Sequence, residues 1–312
     1  MTEPKKSGNA EDRKTRLTVL VALSANLVIA VAKAIGGLIA GSPALLSEAA
    51  HSVADSLNEV FLLAALHRSR RPADRQHPFG YGKERFFWSL LAAVGIFVMG
   101  GCFSFFQGFE ALTTPASKES HTGYVVGLVV LGVALLAEGA SLIRAVLQVR
   151  AQPGKGIGSD PALRTVLAED STAVLGVLLA AGGMVLHMVT GNIVWEASAS
   201  LAIGALLVYV AFRLGKSARA QLIGEAVDPE LRRGILELLD SQPEIDYVAS
   251  LYTMVLGMDS TLVAARVDLT PGIDSERLEL VSERIKESIQ DAWPEADQIF
   301  LDVVEVPQRV RD

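Results

Sequence analysis

Six long apolar segments dominate the first two-thirds of the chain, at approximately residues 17–40, 44–66, 86–112, 123–148, 163–189 and 195–214. Each approaches or exceeds the ~20 residues that a helix needs to cross a bilayer. Helix is the expected form because it satisfies the backbone polar groups within each segment. The pattern therefore predicts six transmembrane helices over residues 17–214. A polar cytoplasmic tail, residues 1–16, precedes them and lacks the apolar core of a signal peptide.

The pattern changes after about residue 215, where amphipathic and alternating segments replace the long apolar ones. The stretch "DPELRRGILELLDS" has the apolar spacing of a helix, with Asp228 as its N-cap. Two strand patterns, "DYVASLYTMVLG" and "STLVAARVDL", precede a second amphipathic helix, and "QIFLDVVEV" forms a third strand. Residues 215–312 are therefore predicted to form an acidic cytoplasmic α+β domain of ferredoxin-like type, with the order αββαβ.

Basic residues distinguish the two sides of the predicted membrane domain. Lys and Arg cluster in the N-terminal tail, in the second-to-third and fourth-to-fifth loops, and after the sixth helix. The other three loops contain Lys118 as their only basic residue of this kind. By the positive-inside rule, both termini are predicted to be cytoplasmic. The Ala- and Leu-rich chain without a targeting segment favours a bacterial inner membrane.

Composition excludes several functional classes. Half of the residues are hydrophobic, and the single cysteine, Cys102, can form neither a disulfide framework nor a thiolate zinc site. The "RLGKSA" stretch lacks the upstream glycine and strand of a phosphate-binding loop, so ATP hydrolysis is not expected. No HExxH motif for a metalloprotease and no nucleic-acid-binding pattern are present. The sequence therefore predicts a membrane protein that is not an enzyme.

Ionisable residues within the apolar segments are the main candidates for chemistry. His51 and Asp55 lie four residues apart, and therefore on one face of the second helix. Glu169 and Asp170 lie in the fifth helix. Charged side chains at membrane depth are costly and mark functional sites by default.

The depths of these residues can be compared from helix geometry. At 1.5 Å per residue, Asp55 lies roughly 18 Å below the outer boundary of the membrane and Asp170 roughly 12 Å above the inner one. In a hydrocarbon core of about 30 Å these two levels coincide. His51, Asp55 and Asp170 are therefore predicted to share one layer, where imidazole and carboxylate ligands suit Zn²⁺, with Co²⁺, Fe²⁺ and Mn²⁺ as alternatives.

A structural role is the competing interpretation, in which these polar side chains pair with one another or with Lys33. Asn26, Glu48 and Asn58 are interpreted as structural. Glu138 is compatible with either role. The same holds for Glu196, for which a position at the membrane interface is a further possibility.

Two neighbouring stretches, "SPALLSEAAHSVADSLNEV" and "DRQHPFGYGKERFFWSL", resemble those of the cation diffusion facilitators, a family of divalent-metal/proton antiporters. The resemblance extends over the whole chain and implies a homodimer with a tetrahedral metal site. His51 and Asp55 match the second-helix ligand pair, and Asp170 matches the fifth-helix aspartate. The fourth ligand position falls on Val166, which cannot bind metal. The resemblance leaves two possibilities, a site with three protein ligands or one in which Glu169 substitutes.

The same resemblance implies further metal sites that this sequence retains only in part. A secondary loop site would use Asp74 and His77, but Tyr81 replaces its third ligand. The cytoplasmic domain contains no histidine. Its carboxylates, such as Asp302 and Glu305, are interpreted as solvated acids rather than as metal ligands.

The predicted function is proton-coupled efflux of a divalent transition-metal cation from the cytosol, with Zn²⁺ favoured over Fe²⁺, Co²⁺ and Mn²⁺. Metal ions and protons compete for one site because a metal-bound histidine must be neutral and unpaired carboxylates take up protons. The metal is cargo, and no tightly bound cofactor is expected. The alternative is a membrane-embedded metal sensor or scaffold that does not transport.

Overall fold

Long helices form wherever the sequence is continuously apolar. In the computed structural model, residues 8–114, 121–150 and 161–305 are described. The helices of the apolar part are α1 (Gly8–Ala40), α2 (Pro43–Arg68), α3 (Glu84–Gly95), α4 (Phe103–Thr113), α5 (His121–Arg150), α6 (Pro161–Thr190) and α7 (Val194–Ile223). Glycines with positive φ, Gly41 at 64° and Gly191 at 67°, make the sharp turns before α2 and α7.

Five helical segments are long and apolar enough to cross a membrane within the described residues, and they lie in α1, in the stretch from α3 to α4, and in α5, α6 and α7. Helix α2 spans 26 residues but falls outside this group. It carries Glu48, Asp55 and Glu59 as well as His51, and these side chains lower its apolar character. Five of the six predicted spans are therefore confirmed as sufficiently long, apolar helices, while α2 as the sixth span stays a prediction.

The third apolar segment is not one regular α-helix. A π-helical segment, Ile96–Cys102, separates α3 from α4. Gly100 and Gly101 lie within it, and a Cβ on either glycine would be 2.8 Å from a side chain of α7, Leu207 or Val208 respectively. This close approach explains why residues without side chains occupy these positions.

Two compact units make up the chain, one formed by Met1–Leu63 with Ser89–Lys216, the other by Ala64–Trp88 with Ser217–Asp312. In the first unit, α5 packs against both α1 and α6. Its apolar core includes the buried side chains of Leu45, Leu131, Met184, Ile203 and Leu207. The predicted boundary between residues 214 and 215 is close to one of these limits, although the loop after α2 belongs to the second unit.

The second unit contains the predicted order αββαβ. Its elements are α8 (Pro229–Asp240), β1 (Ile245–Val255), β2 (Thr261–Leu269), α9 (Ser275–Ala292) and β3 (Gln298–Val303). Strands β1 and β2 are antiparallel, whereas β2 and β3 are parallel, as the crossover through α9 allows. Asp228 caps α8 as expected, accepting a hydrogen bond from the Glu230 N–H at 2.8 Å. Both helices bury apolar faces in the same core, which includes Ile235, Leu239, Val263, Ile285 and Ile289.

A tight contact inside the second unit gives a first testable prediction. A Cβ on Gly82 would collide with the backbone oxygen of Leu256 and lie 2.9 Å from the Gly257 Cα atom. Backbone atoms yield less easily than a flexible side chain. We therefore expect Gly82→Ala to lower the free energy of unfolding by about 1–3 kcal/mol, the usual cost of overpacking.

Thermal unfolding followed by tryptophan fluorescence measures this effect. In a Trp195→Phe background the two remaining tryptophans, Trp88 and Trp293, both belong to the second unit. Gly139→Ala is the control, since no heavy atom lies within 4 Å of a Cβ added there. Equal melting temperatures for Gly82→Ala and the parent protein would contradict the prediction.

Candidate metal centre

Helix α2 brings His51 and Asp55 together, as their spacing predicts. The Nε2 atom of His51 lies 3.4 Å from Asp55 Oδ2. His51 is buried, with 4% of its surface exposed, whereas the Asp55 side chain keeps 34% of its surface exposed. The pair therefore presents an imidazole nitrogen and an accessible carboxylate at one place, which is a donor set that borderline divalent metals accept.

Helix α6 contributes Glu169 and Asp170. Asp170 Oδ2 accepts a hydrogen bond from the Ser141 hydroxyl at 2.9 Å, and Glu169 Oε1 accepts one from the Asn58 amide at 3.2 Å. Both carboxyl groups lie within electrostatic range of Asp55. The hydrogen bond between Asn58 and Glu169 joins α2 to α6. The common membrane depth of Asp55 and Asp170 stays a prediction.

These side chains do not close around a common point. Within residues 8–114, 121–150 and 161–305, no three His, Cys, Asp or Glu side chains converge closely enough to hold a metal ion. Instead, one oxygen of Asp170 is hydrogen-bonded to Ser141, and one oxygen of Glu169 is hydrogen-bonded to Asn58. Val166, where a fourth ligand is missing, lies outside the residues whose side chains are described. The three-ligand site and the substitution by Glu169 both stay predictions.

A buried ion-pair cluster lies beside His51. The ammonium of Lys33 is 2.9 Å from Glu48 Oε2 and 2.9 Å from Glu138 Oε1, and it donates a further hydrogen bond to the Ser52 hydroxyl at 3.0 Å. Lys33 and Glu48 are almost completely buried. In the part of the chain that is described, Lys33 therefore pairs with Glu48 and Glu138 and not with the predicted ligands. Glu48, interpreted from the sequence as structural, is also a direct neighbour of His51.

A second buried polar cluster, missed by the sequence reasoning, joins Ser42, Tyr124, His187 and Glu196. The Tyr124 hydroxyl donates to Glu196 Oε1 at 2.6 Å, and His187 Nδ1 lies 2.7 Å from the same oxygen. The Ser42 hydroxyl donates to Glu196 Oε2. Glu196 is thus fully buried inside the protein, where three helix ends and the α1–α2 turn meet. The sequence feature that could have predicted this cluster is the pair His187 and Glu196, which lie on either side of the short turn at Gly191.

The loop after α2 uses Asp74 for its own structure. Asp74 Oδ1 accepts hydrogen bonds from the backbone N–H groups of Gln76 and His77, and Oδ2 accepts one from the Tyr81 hydroxyl at 2.7 Å. The hydrogen bond from Tyr81, followed by those from the backbone, lowers the pKa of Asp74 below its usual value. His77 stacks near Tyr81, with ring centroids 4.2 Å apart. A metal ion at Asp74 and His77 would have to compete with these hydrogen bonds for the carboxylate, and that secondary site stays a prediction.

A family model and several known proteins that resemble this chain all point to the same family. Residues 19–223 match the model of the cation efflux transmembrane domain. Metal tolerance protein C4 of Arabidopsis thaliana is 34% identical over 266 residues, which cover 82% of this chain and 58% of that protein. The mitochondrial proton-coupled zinc antiporter SLC30A9 of Homo sapiens is 32% identical over 259 residues, 80% of this chain and 45% of the relative.

A bacterial relative matches over nearly its full length. The cation-efflux pump FieF of Citrobacter koseri is 25% identical over 291 residues, covering 92% of this chain and 91% of the pump. By contrast, the chain spans only about half the length of the plant and animal relatives. The matched domain covers more than half of the chain and includes His51, Asp55, Glu169 and Asp170. The chain therefore belongs to the cation efflux family, the cation diffusion facilitators.

Proposed function

We propose that this chain is a secondary transporter that exports a divalent transition-metal cation from the cytosol in exchange for protons. Zn²⁺ is the favoured cargo, ahead of Fe²⁺, Co²⁺ and Mn²⁺. The observation that carries the proposal is the contact between His51 and Asp55 on α2, together with the electrostatic interaction of Asp55 with Glu169 and Asp170 on α6. Imidazole and carboxylate donors in this arrangement favour Zn²⁺.

The proposed site uses His51, Asp55 and Asp170 as ligands, with Glu169 as the candidate fourth. Because the carboxyl groups outnumber the cationic side chains around the site, a bound divalent ion or bound protons must balance the excess negative charge in the low-dielectric interior. Metal ions and protons then compete for the same atoms. Alternating exposure of the site to the two sides of the membrane converts that competition into exchange.

The proposal includes an assembly and an orientation. We propose a homodimer in a bacterial inner membrane, with α2 as a sixth span, both termini cytoplasmic and residues 215–312 as a ferredoxin-like domain. The Lys and Arg distribution supports this orientation. The protein has no proposed catalytic reaction, nucleic-acid partner or tightly bound cofactor.

Flux measurements in proteoliposomes test the transport proposal. We expect Zn²⁺ to move against its concentration gradient when an opposite proton gradient is imposed, and to stop moving when an ionophore collapses that gradient. A lumenal pH dye should record the counter-movement of protons. The same flux measurement with Co²⁺, Fe²⁺ and Mn²⁺ ranks the four ions by transport rate. Metal binding without flux would contradict the proposal and identify a membrane-embedded sensor or scaffold instead.

A further inference from the structure

We propose that Lys33 and Glu48 are positioning residues that hold His51 so that its Nε2 atom binds the metal. The inference rests on the proposed function, since it assigns a role to neighbours of the proposed transport site. It concerns the buried cluster of Lys33, Glu48, Ser52 and Glu138 that lies beside His51.

The two ring nitrogens of His51 face different carboxylates. Nε2 lies 3.4 Å from Asp55 Oδ2, whereas Nδ1 lies 3.6 Å from Glu48 Oε1. Asp55 is partly exposed, but Glu48 is fully buried. The side of the ring with room for an ion is therefore the Nε2 side.

Glu48 has one oxygen held and one oxygen available. Its Oε2 atom is 2.9 Å from the Lys33 ammonium, whereas Oε1 is buried and has no hydrogen-bond partner in the part of the chain that is described. A buried carboxylate oxygen without a donor is costly. A proton on the Nδ1 atom of His51, which Oε1 already faces, would satisfy it after a shift of less than 1 Å.

Lys33 fixes the carboxylate that does the positioning. The three donors of its ammonium match three acceptors at hydrogen-bond distance, on Glu48, Ser52 and Glu138. An ammonium bound this way also repels a divalent ion from the Glu48 oxygen it contacts. Glu48 is therefore an outer partner of the imidazole rather than a metal ligand.

The resulting chain of contacts runs from Lys33 through Glu48 to His51. Histidines that bind metals generally donate their second N–H to a carboxylate or carbonyl, which fixes the protonated nitrogen and the ring orientation. Here the carboxylate comes from the same helix, one turn earlier, and is itself held by α1. Loss of such a partner typically weakens metal affinity by about 10–100-fold.

Metal binding to the purified full-length protein tests the inference, with Co²⁺ alone as the probe. Glu48→Gln keeps a neutral acceptor oxygen, and Glu48→Leu keeps none. We expect Co²⁺ affinity to fall in the order Glu, Gln, Leu, by about 10–100-fold in total. ¹⁵N spectra of the histidine rings provide an independent readout. The His51 signals, assigned by their loss in His51→Gln, should show a protonated Nδ1 in the parent and a mixture of ring forms in Glu48→Leu.

Glu196→Gln is the matched control, because it neutralises another fully buried glutamate outside this cluster. We expect it to leave Co²⁺ affinity and the His51 ring signals unchanged. Parental affinity and ring protonation in both Glu48 variants would overturn the inference, as would an equal loss in Glu196→Gln. If Glu48→Leu does not fold, Glu48→Gln decides alone. A parent protein that binds Co²⁺ but moves no metal would refute the proposed transport. The positioning inference would still be decided by the binding and ring-protonation data of the Glu48 variants.

Discussion

Asp55→Asn is expected to abolish metal transport while leaving the protein folded. The substitution keeps the shape of the side chain but removes the negative charge that faces His51 Nε2 at 3.4 Å. A divalent ion in a low-dielectric site requires anionic ligands to offset the loss of its hydration. Outer partners of metal ligands already contribute about 10–100-fold to affinity, so loss of a direct carboxylate ligand should cost at least about 100-fold.

The measurement compares Zn²⁺ flux at limiting and saturating metal, and Zn²⁺ affinity, in the parent and in Asp55→Asn. Glu59→Gln is a close control because it replaces a carboxyl group one turn further along α2. Glu59 accepts a hydrogen bond from the Asn26 amide at 2.9 Å and is not one of the proposed ligands. We expect the control to retain most of its flux. Parental flux in Asp55→Asn would remove Asp55 from the site, and equal losses in both variants would indicate a general electrostatic effect.

Much of the fold follows from local patterns that the sequence displays directly. Continuous apolar runs long enough to cross a bilayer gave the long helices, and the change to amphipathic spacing after residue 215 gave the order αββαβ. Asp228 was identifiable as a cap because its side chain directly precedes Pro229 and an apolar helical pattern. These features depend on neighbours in sequence, which is why a single sequence suffices to predict them.

The π-helical segment Ile96–Cys102 could not be predicted in the same way. Its residues are apolar on every side, so periodicity carries no information about a local change of winding. The cause lies in another helix, since Gly100 and Gly101 pack closely against Leu207 and Val208 of α7. Contacts between residues a hundred positions apart leave no trace in a local pattern.

The candidate site likewise combines features set by local sequence with features set by contacts between distant residues. Spacing alone predicted that His51 and Asp55 share one face of α2, and the two side chains do approach each other, at 3.4 Å. The similar depth of Asp170, inferred from helix direction, stays a prediction. The partners of Lys33 were not predictable, because Glu138 lies 105 residues further along the chain and its choice of partner depends on how α1 and α5 pack. Sequence reasoning therefore identifies which groups are chemically unusual, and packing determines which of them meet.

The position of Glu48 depends on a glycine in α6, and this dependence gives the second large expected effect. A Cβ on Gly176 would overlap Glu48 Oε1 and lie 3.5 Å from His51 Nδ1. Both neighbours are buried, and Glu48 is anchored by Lys33, so neither can move into open space. We expect Gly176→Ala to cost about 1–3 kcal/mol of stability through overpacking and to weaken metal binding by at least about tenfold.

Gly182→Ala on the same helix separates this clash from the general effect of replacing glycine. No heavy atom lies within 4 Å of a Cβ added at Gly182, so alanine there should raise helix stability by up to about 1 kcal/mol. The two substitutions are therefore expected to shift the melting temperature in opposite directions, and Gly176→Ala alone should weaken Zn²⁺ binding in titration calorimetry. Adding Glu48→Ala to Gly176→Ala removes the overlapping carboxylate, so the stability cost of the alanine should shrink in that background. An undiminished cost would show that α6 resists the methyl group for a reason unrelated to Glu48.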